Sequence, residues 1–192
     1  MDTDFFRKVY SNPLLSAEDI ATIKSAHEKK EIAQGTTLLR SGKTAGEFYI
    51  VEQGLFRSWL LDYNGNEITT GFYCPGELLI DSLSLFQRQP ARENLQALTA
   101  ATVWAIEYEK FLALLNRVEG LREWGRNWAT QQLFALKQHS INSLTTSVAD
   151  RYLALIREKP EVMRYSPLKY IASFLGITDT SLSRIRKEIS TS

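Results

Sequence analysis

The sequence predicts an α+β fold in which a barrel or sandwich of short strands precedes one long helix and a C-terminal helix-turn-helix. Short β-rich runs separated by glycines fill residues 30–108, which is typical of such a β-structure. No proline interrupts residues 119–159, and residues 168–185 carry apolar side chains at the spacing of two crossing helices. We divide the chain into domains 1–115, 116–145 and 146–192.

The first two elements follow from local signals. Residues 3–29 are predicted to be helical, with Ser16 as an N-cap and Asp19 in the first turn. The β-region after them contains "DYNGNE", which predicts a hairpin. Asn64-Gly65 favours a type I′ turn there, because both of its central residues need a positive φ.

The helical half begins with "YEKFLALLNRV", predicted to be a short amphipathic helix, and continues with a long helix that breaks near residues 142–147. This long helix could lie on the barrel or pair with its twin in a dimer. We favour the dimer, because a helix that only covers the barrel would not need two tryptophans near its start. The predicted seam consists of Leu121, Trp124, Trp128, Leu133 and Leu136. Between Pro160 and Pro167, "EVMRYS" is interpreted as a connector.

Composition excludes several classes of protein. The only cysteine is Cys74, so no intramolecular disulfide can form, and a reducing compartment is expected. No apolar run reaches the roughly 20 residues that a membrane-spanning helix needs. The N-terminus lacks the pattern of a signal peptide, so we expect a cytoplasmic protein without a membrane partner.

An enzyme is not expected either. The chain has no Gly-x-Ser-x-Gly stretch, and its two histidines, His27 and His139, lie outside the β-region. A metal-binding β-barrel needs two or three histidines with a carboxylate. We therefore expect no metal, no cofactor and no catalytic residues.

The segment "IASFLGITDTSLSRIR" has the pattern of a helix-turn-helix. Ala172 is small where two helices cross, and Gly176 suits the left-handed conformation that ends a helix. Ile177, Leu182 and Ile185 are predicted core positions of the second helix, with Thr178 as its N-cap.

The polar positions of the second helix predict DNA binding. An ordinary solvated helix would explain their polarity, but not the filled helix-turn-helix core. Residues 151–192 hold eight Lys/Arg and four Asp/Glu, a net charge of +4, whereas residues 1–150 hold 15 and 18, a net charge of −3. Short hydroxyl residues followed by cations are typical of a helix that enters the major groove. The predicted DNA-binding residues are Thr178, Thr180, Ser181, Ser183, Arg184, Arg186 and Lys187.

A glycine-rich β-roll, a long helix and a C-terminal helix-turn-helix, in this order, resemble the Crp/Fnr family of bacterial transcription regulators. The β-part resembles the cyclic-nucleotide-binding domain of that family. The positions that match its turns and core strands are Gly42, Tyr49, Ile50, Val51, Gly54, Gly65 and Glu67. The resemblance implies a jelly-roll sensor domain, a homodimer joined by the long helices, and a twofold-symmetric site on double-stranded DNA. RNA polymerase is a candidate further partner.

The sensor pocket departs from the nucleotide-binding members of the family. Where those have Gly-Glu, we align Ile80-Asp81, and their Arg-Ser or Arg-Ala pair aligns with Arg92-Glu93. A carboxylate beside a bound phosphate is repulsive. Arg92 could bind an anion or pair with Glu93 or Asp81, and we favour pairing. Leu133 and Phe134 are placed where relatives present hydroxyls to the base, so we expect no binding of cyclic AMP.

The predicted function is therefore a homodimeric, DNA-binding transcriptional regulator whose small-molecule effector is unknown. The alternative is a cyclic-nucleotide-sensing module that acts through protein contacts without binding DNA. Many relatives continue past the second helix into a β-hairpin wing, but this sequence ends at "KEISTS". A chain without the wing would make fewer phosphate contacts and bind DNA with a lower affinity or salt dependence.

Overall fold

The computed structural model describes residues 2–191. Its fold is α+β, as the sequence predicts, with eight strands and nine helices among these residues. The strands are Glu28–Ile32 (β1), Thr37–Leu39 (β2), Glu47–Gln53 (β3), Phe56–Leu61 (β4), Glu67–Tyr73 (β5), Leu78–Leu79 (β6), Asn94–Ala97 (β7) and Ala101–Glu107 (β8). The helices are Asp2–Val9 (α1), Ala17–Ser25 (α2), Ser82–Gln87 (α3), Tyr108–Arg117 (α4), Glu119–Thr145 (α5), Val148–Glu158 (α6), Pro160–Tyr165 (α7), Leu168–Leu175 (α8) and Asp179–Thr191 (α9).

The strands form a sandwich of two four-stranded antiparallel sheets. Their orders are β1-β8-β3-β6 and β2-β7-β4-β5. Central strand β8 has six consecutive buried residues, as expected for a strand covered on both faces. Gly54, between β3 and β4, has a φ of +96°, and a Cβ there would lie 2.5 Å from the Cβ of Ala101. No other residue type fits this tight connection between the two sheets.

Two clusters of buried side chains hold the chain together. The larger lies in the β-sandwich and includes residues from α1, α2, α4 and the start of α5. The smaller joins one edge of the sandwich to the C-terminal helices. In that cluster Leu55, Phe72, Cys74 and Leu98 contact the buried face of α6–α9, which comprises Tyr152, Leu155, Val162, Ile171, Ala172, Leu175 and Leu182. The helix-turn-helix is therefore packed against the sandwich.

Three local predictions are wrong. Residues 3–29 form two helices and the start of β1, because residues 10–16 leave the helical conformation before Ser16 caps α2. Asn64 does not have a positive φ, so the hairpin between β4 and β5 has no type I′ turn. The loop instead folds around the Asp62 carboxylate, which accepts hydrogen bonds from the backbone N–H groups of Asn64 and Asn66. Finally, "EVMRYS" is mostly helix α7, with Pro160 at its first position.

Other local predictions are confirmed. Ser16 and Asp19 form a reciprocal capping box at the start of α2. The long helix ends at Thr145, and Ser147 caps α6 two residues later, so the chain does break near residues 142–147. The domain boundaries themselves stay a prediction.

Candidate functional site

The helix-turn-helix is built by the apolar residues that its spacing predicts. Ile171 and Ala172 of α8 and Leu182 of α9 are fully buried, while Ile177 and Ile185 are partly buried against the same cluster. Gly176 ends α8 with a φ of +73°, a left-handed conformation that favours glycine. Thr178 Oγ1 accepts a hydrogen bond from the Ser181 backbone N–H at 3.2 Å, so Thr178 caps α9. These contacts fix which side of α9 faces outward.

The outward face of α9 carries hydroxyl and cationic side chains. Thr180, Ser183, Arg184 and Lys187 are all exposed and recur at a spacing of three and four residues, so they form one stripe. We call these four residues the outward face of α9. Arg184 Nε lies 3.8 Å from a carboxylate oxygen of Glu188, and both side chains are well exposed. An exposed pair of this kind contributes little free energy, so Arg184 can exchange Glu188 for another acceptor.

The remaining predicted DNA-binding residues lie beside this stripe. Thr178 and Ser181 are exposed, and their hydroxyls lie 3.0 Å apart at the cap of α9. Arg186 is half-buried on the flank of the helix. The hydroxyls at the start of α9 therefore already have a local structural role.

Helix α8 packs on β4 and β5 with its other face. The Arg57 guanidinium lies 3.5 Å from the ring centroid of Tyr170, a close cation–π contact. Arg57 is 1% exposed, donates hydrogen bonds to Gln96 and forms an ion pair with Glu67 at 2.6 Å. The Thr69 backbone N–H donates to Ser173 Oγ of α8 at 3.1 Å. These contacts hold the helix-turn-helix in one orientation against the sandwich.

The predicted pocket residues Ile80, Asp81, Arg92 and Glu93 lie in different local environments. Ile80 packs against the sandwich core, and the Asp81 carboxylate caps α3 by accepting from the Ser84 backbone N–H at 2.9 Å. Arg92 is exposed and makes no ion pair in the described part of the chain, so the favoured pairing with Glu93 or Asp81 is not formed.

Glu93 occupies an unfavourable position for an anion. Burial raises the pKa of its carboxyl, and the nearby charge of Asp81 raises it further, although a hydrogen bond with Thr70 opposes both effects. Thr70 Oγ1 in turn lies 2.7 Å from Ser58 Oγ. Two carboxyl groups and two hydroxyls therefore meet where the nucleotide-binding relatives are expected to neutralise a phosphate.

The sequence placed Leu133 and Phe134 in the pocket, but the helix turns them elsewhere. Leu133 is 63% and Phe134 is 67% exposed, and neither lines a cleft that the structure forms beside α5. The residues of α5 that do line it are Gln132, Ala135, Leu136, Gln138, His139 and Asn142. No sequence signal fixed how α5 rotates against the sandwich, so the sequence could not predict which of its residues line this cleft.

The residues of the predicted dimer seam fall into a buried group and an exposed group. Leu121 is fully buried and Trp124 is 7% exposed, and both pack in the sandwich cluster of their own chain. Trp124 Nε1 donates a hydrogen bond to the Val9 carbonyl at 2.9 Å, and Trp128 stacks on Trp124 with ring centroids 6.4 Å apart. The first half of the seam thus belongs to the protomer, because α1 covers it. Leu133 and Leu136 remain largely exposed.

The comparisons with known proteins agree with this architecture. The cyclic nucleotide-binding domain family matches residues 29–118. The anaerobic regulatory protein of Haemophilus influenzae is 22% identical over 171 residues, which cover 82% of this chain and 65% of that protein. A regulator of the Crp/Fnr family from Eubacterium rectale has a TM-score of 0.70 at 14% identity, over 93% of this chain and 87% of that one. The chain is therefore similar in fold to this regulator of the Crp/Fnr family.

A second solved structure matches nearly the whole chain. The c-di-GMP-responsive global regulator CLP of Xanthomonas campestris has a TM-score of 0.70 at 17% identity, and 92% of each chain is covered. At such identities the likeness establishes the fold. The chain spans between 25% and 66% of the length of the curated relatives that it matches.

The sequence analysis missed several residues that lie at the surface of the helix-turn-helix or in the cleft beside α5. Lys169 is exposed in the first turn of α8, beside the Tyr170 ring. Arg151 of α6 and His139 of α5 line the cleft beside α5. The amphipathic pattern of α6 could have revealed Arg151 as a cation on a buried helix face, but no pattern indicates what faces it.

Within residues 2–191 no helix is long and apolar enough to cross a membrane, and no cluster suited to a metal ion is found.

Proposed function

We propose that this chain is a DNA-binding transcriptional regulator that reads the major groove with α9. The observation that carries the proposal is the outward face of α9, which presents Thr180, Ser183, Arg184 and Lys187 on one side of a helix whose other side is buried. Arginine can donate two hydrogen bonds to a guanine, and hydroxyls bind base edges or phosphates. These side chains would not be expected to lie together on one exposed stripe if α9 were an ordinary surface helix.

We propose further that two copies bind a twofold-symmetric site through α5. Leu133, Leu136 and Leu144 are 63%, 67% and 84% exposed, and they follow a spacing of three and eight residues along one stripe. Such a stripe is suited to the seam of a two-stranded coiled coil. The Leu133→Glu variant should be monomeric by light scattering at micromolar concentration, whereas Leu61→Glu, a change at an exposed leucine of the sandwich, should leave the dimer intact. A monomeric wild-type protein would contradict the seam.

The sensor is proposed not to bind cyclic AMP. The nearby charge of Asp81 raises the cost of ionising the buried Glu93 carboxyl, and a bound phosphate would add a further negative charge. Calorimetry with cyclic AMP up to about 100 μM should give no saturable heat, since that Kd corresponds to only about −5.5 kcal/mol. A micromolar Kd would refute this part of the proposal.

DNA binding can be tested with the wild-type chain and one charge-reversal variant. A mobility-shift assay with random-sequence duplex DNA should show a complex that is lost for Arg184→Glu. The matched control is Arg117→Glu, which changes an equally exposed arginine at the end of α4, far along the chain from the helix-turn-helix. Loss of the complex in both variants would indicate a nonspecific charge effect.

The alternative function is a nucleotide-sensing module that works through protein contacts. It would be favoured if the wild-type chain bound no DNA and gave saturable heat with cyclic AMP. For an activator, a contact with RNA polymerase would also be required. As a soluble regulator of transcription the protein would act in the cytoplasm.

A further inference from the structure

A cleft lies between the sandwich and the helix-turn-helix, away from the outward face of α9. Its volume is about 660 Å³. Four elements line it: β5, the second half of α5, and helices α6 and α8. Small-molecule sites commonly measure about 300–1,000 Å³ and occur preferentially where two domains meet. The cleft is therefore large enough for a small ligand, and that ligand would touch both domains.

The cleft contains one cation without a partner. Arg151 of α6 lines it, its guanidinium makes no hydrogen bond or ion pair with any described residue, and its buried Nε lacks a partner. The neighbouring Lys159 differs, because its ammonium donates to the Phe72 carbonyl at 2.6 Å and to the Glu77 carboxylate at 2.7 Å. A buried donor that is left unsatisfied is costly, so Arg151 gains most from an acceptor that enters the cleft.

Part of the wall is apolar and aromatic, and the other lining residues include Thr70, Gln132, Gln138 and Asn142. Phe174 packs edge-on against Phe72 with ring centroids 5.4 Å apart, and the His139 ring lies 5.9 Å from Phe174. Leu155 and Leu175 are buried beside them. The one acidic lining residue, Glu158, is exposed. A ligand would thus meet a flat apolar surface and a guanidinium on the same wall.

We propose that this cleft binds a small organic anion with a planar apolar body. The anionic group accepts hydrogen bonds from the Arg151 guanidinium, which can hold a carboxylate or sulfonate by two donors at once. The apolar body packs against Phe174, Leu155 and His139. Because Arg151, Phe174 and Gly71 belong to different domains, the bound anion joins the helix-turn-helix to the sandwich.

Two dyes of the same shape test the requirement for an anion. The first is 8-anilinonaphthalene-1-sulfonate, and the second is N-phenyl-1-naphthylamine, which has the same ring system without the sulfonate. Fluorescence titration of the wild-type chain should give at least about tenfold tighter binding of the sulfonate dye, because a hydrogen bond to a charged group is worth that much in a desolvated site. The Arg151→Gln variant should lose this preference and keep the affinity for the neutral dye.

Two controls locate the dye. Arg164→Gln changes an exposed arginine of α7 and should leave both affinities unchanged. Ala135→Trp fills the cleft from an exposed position of α5, so it should abolish binding of both dyes, whereas Ala113→Trp on exposed α4 surface should not. The Ala135→Trp change needs no buried residue to move and thus tests the site even if Arg151→Gln fails to fold.

Equal affinities of the wild type for the two dyes, or an unchanged sulfonate affinity in Arg151→Gln or Ala135→Trp, would overturn the proposal. So would the absence of any binding to the wild type. The titrations contain no DNA, and the cleft shares no residue with the outward face of α9. Their failure would therefore leave DNA binding untouched, and a failure of DNA binding would leave the cleft untouched.

Discussion

The β-sandwich and the helix-turn-helix differ in where they keep their polar side chains. The sandwich buries His27, Arg57 and Ser58, each with hydrogen-bond partners. In α8 and α9 the buried positions among the described side chains are apolar, and Thr180, Ser183, Arg184 and Lys187 lie outside. Buried polar groups specify a particular interior, whereas exposed ones meet whatever molecule comes to the surface. The polar groups of the sandwich therefore help to fix its own fold, whereas the exposed polar groups of the helix-turn-helix are available to bind a partner.

This difference can be tested by removing polar groups from each region and measuring stability. A buried polar group should cost several kcal/mol or make stability depend on pH. An exposed one on α9 should cost almost nothing and change only what the protein binds.

The largest effect is expected at His27. Burial lowers its pKa from 6.5 to about 4. Its Nδ1 donates a hydrogen bond to the Ile23 carbonyl, and its Nε2 accepts one from the Tyr10 hydroxyl. Because the unfolded chain takes up the proton first, this contribution to stability is complete above pH 6.5 and is lost as the pH falls toward about 4. The loss should be on the order of 3 kcal/mol. Urea unfolding at pH 7 and pH 4 measures it.

The matched variant is His27→Gln, which keeps a hydrogen-bonding side chain without a proton to bind in this range. Its free energy of unfolding should fall less between pH 7 and pH 4 than that of the wild type. The same pH dependence in both proteins would show that His27 is not the titrating group.

A smaller effect is expected at Arg57, which joins the two regions. Arg57→Met removes the ion pair with Glu67, the hydrogen bonds to Gln96 and the contact with the Tyr170 ring. Because Glu67 is partly exposed, the cost should be about 1.5–3 kcal/mol rather than that of a fully buried pair. Arg164→Met is the control, since Arg164 also lies over a tyrosine ring, Tyr165, but on the surface. Its cost should stay within about 0.5 kcal/mol. Equal urea midpoints for the two variants would mean that the buried contact contributes nothing.

The same contrast explains what the sequence could predict. The sequence could predict the helix-turn-helix because Ile171, Gly176 and Leu182 each have one structural role and stand at the fixed spacing of this motif. The sequence could not predict the environment of the sensor pocket in the same way, because that environment is formed by groups far apart in the chain. Glu93 meets Thr70 and Asp81 only after three segments have folded together.

Helix α5 shows the limit most clearly. Its length and end were predictable, but its apolar residues serve two surfaces. Trp124 packs under α1 of its own chain, whereas Leu133 is exposed. Apolar spacing alone cannot tell these apart, because both satisfy the same helical period.

The smallest effect on stability is expected at Arg184. Replacing Arg184 is also the most direct test of whether α9 recognises DNA. Arg184→Ala should change the free energy of unfolding by no more than about 0.5 kcal/mol, since its ion pair with Glu188 is exposed. Lys187→Ala serves as the comparison, because Lys187 lies on the same stripe one turn later. Replacing a phosphate-binding lysine should weaken all sequences alike and lower the salt slope by about one per subunit.

The deciding measurement is a selection from randomised duplex DNA with the wild type, Arg184→Ala and Lys187→Ala. The wild type should enrich a twofold-symmetric site with half-sites about 10–10.5 base pairs apart, because two copies of α9 then enter successive major grooves. Arg184→Ala should lose about 1–3 kcal/mol of discrimination at one position of each half-site, while Lys187→Ala keeps the preferred sequence. If the wild type enriches no sequence, or if Arg184→Ala keeps the wild-type preference, α9 does not read DNA through Arg184.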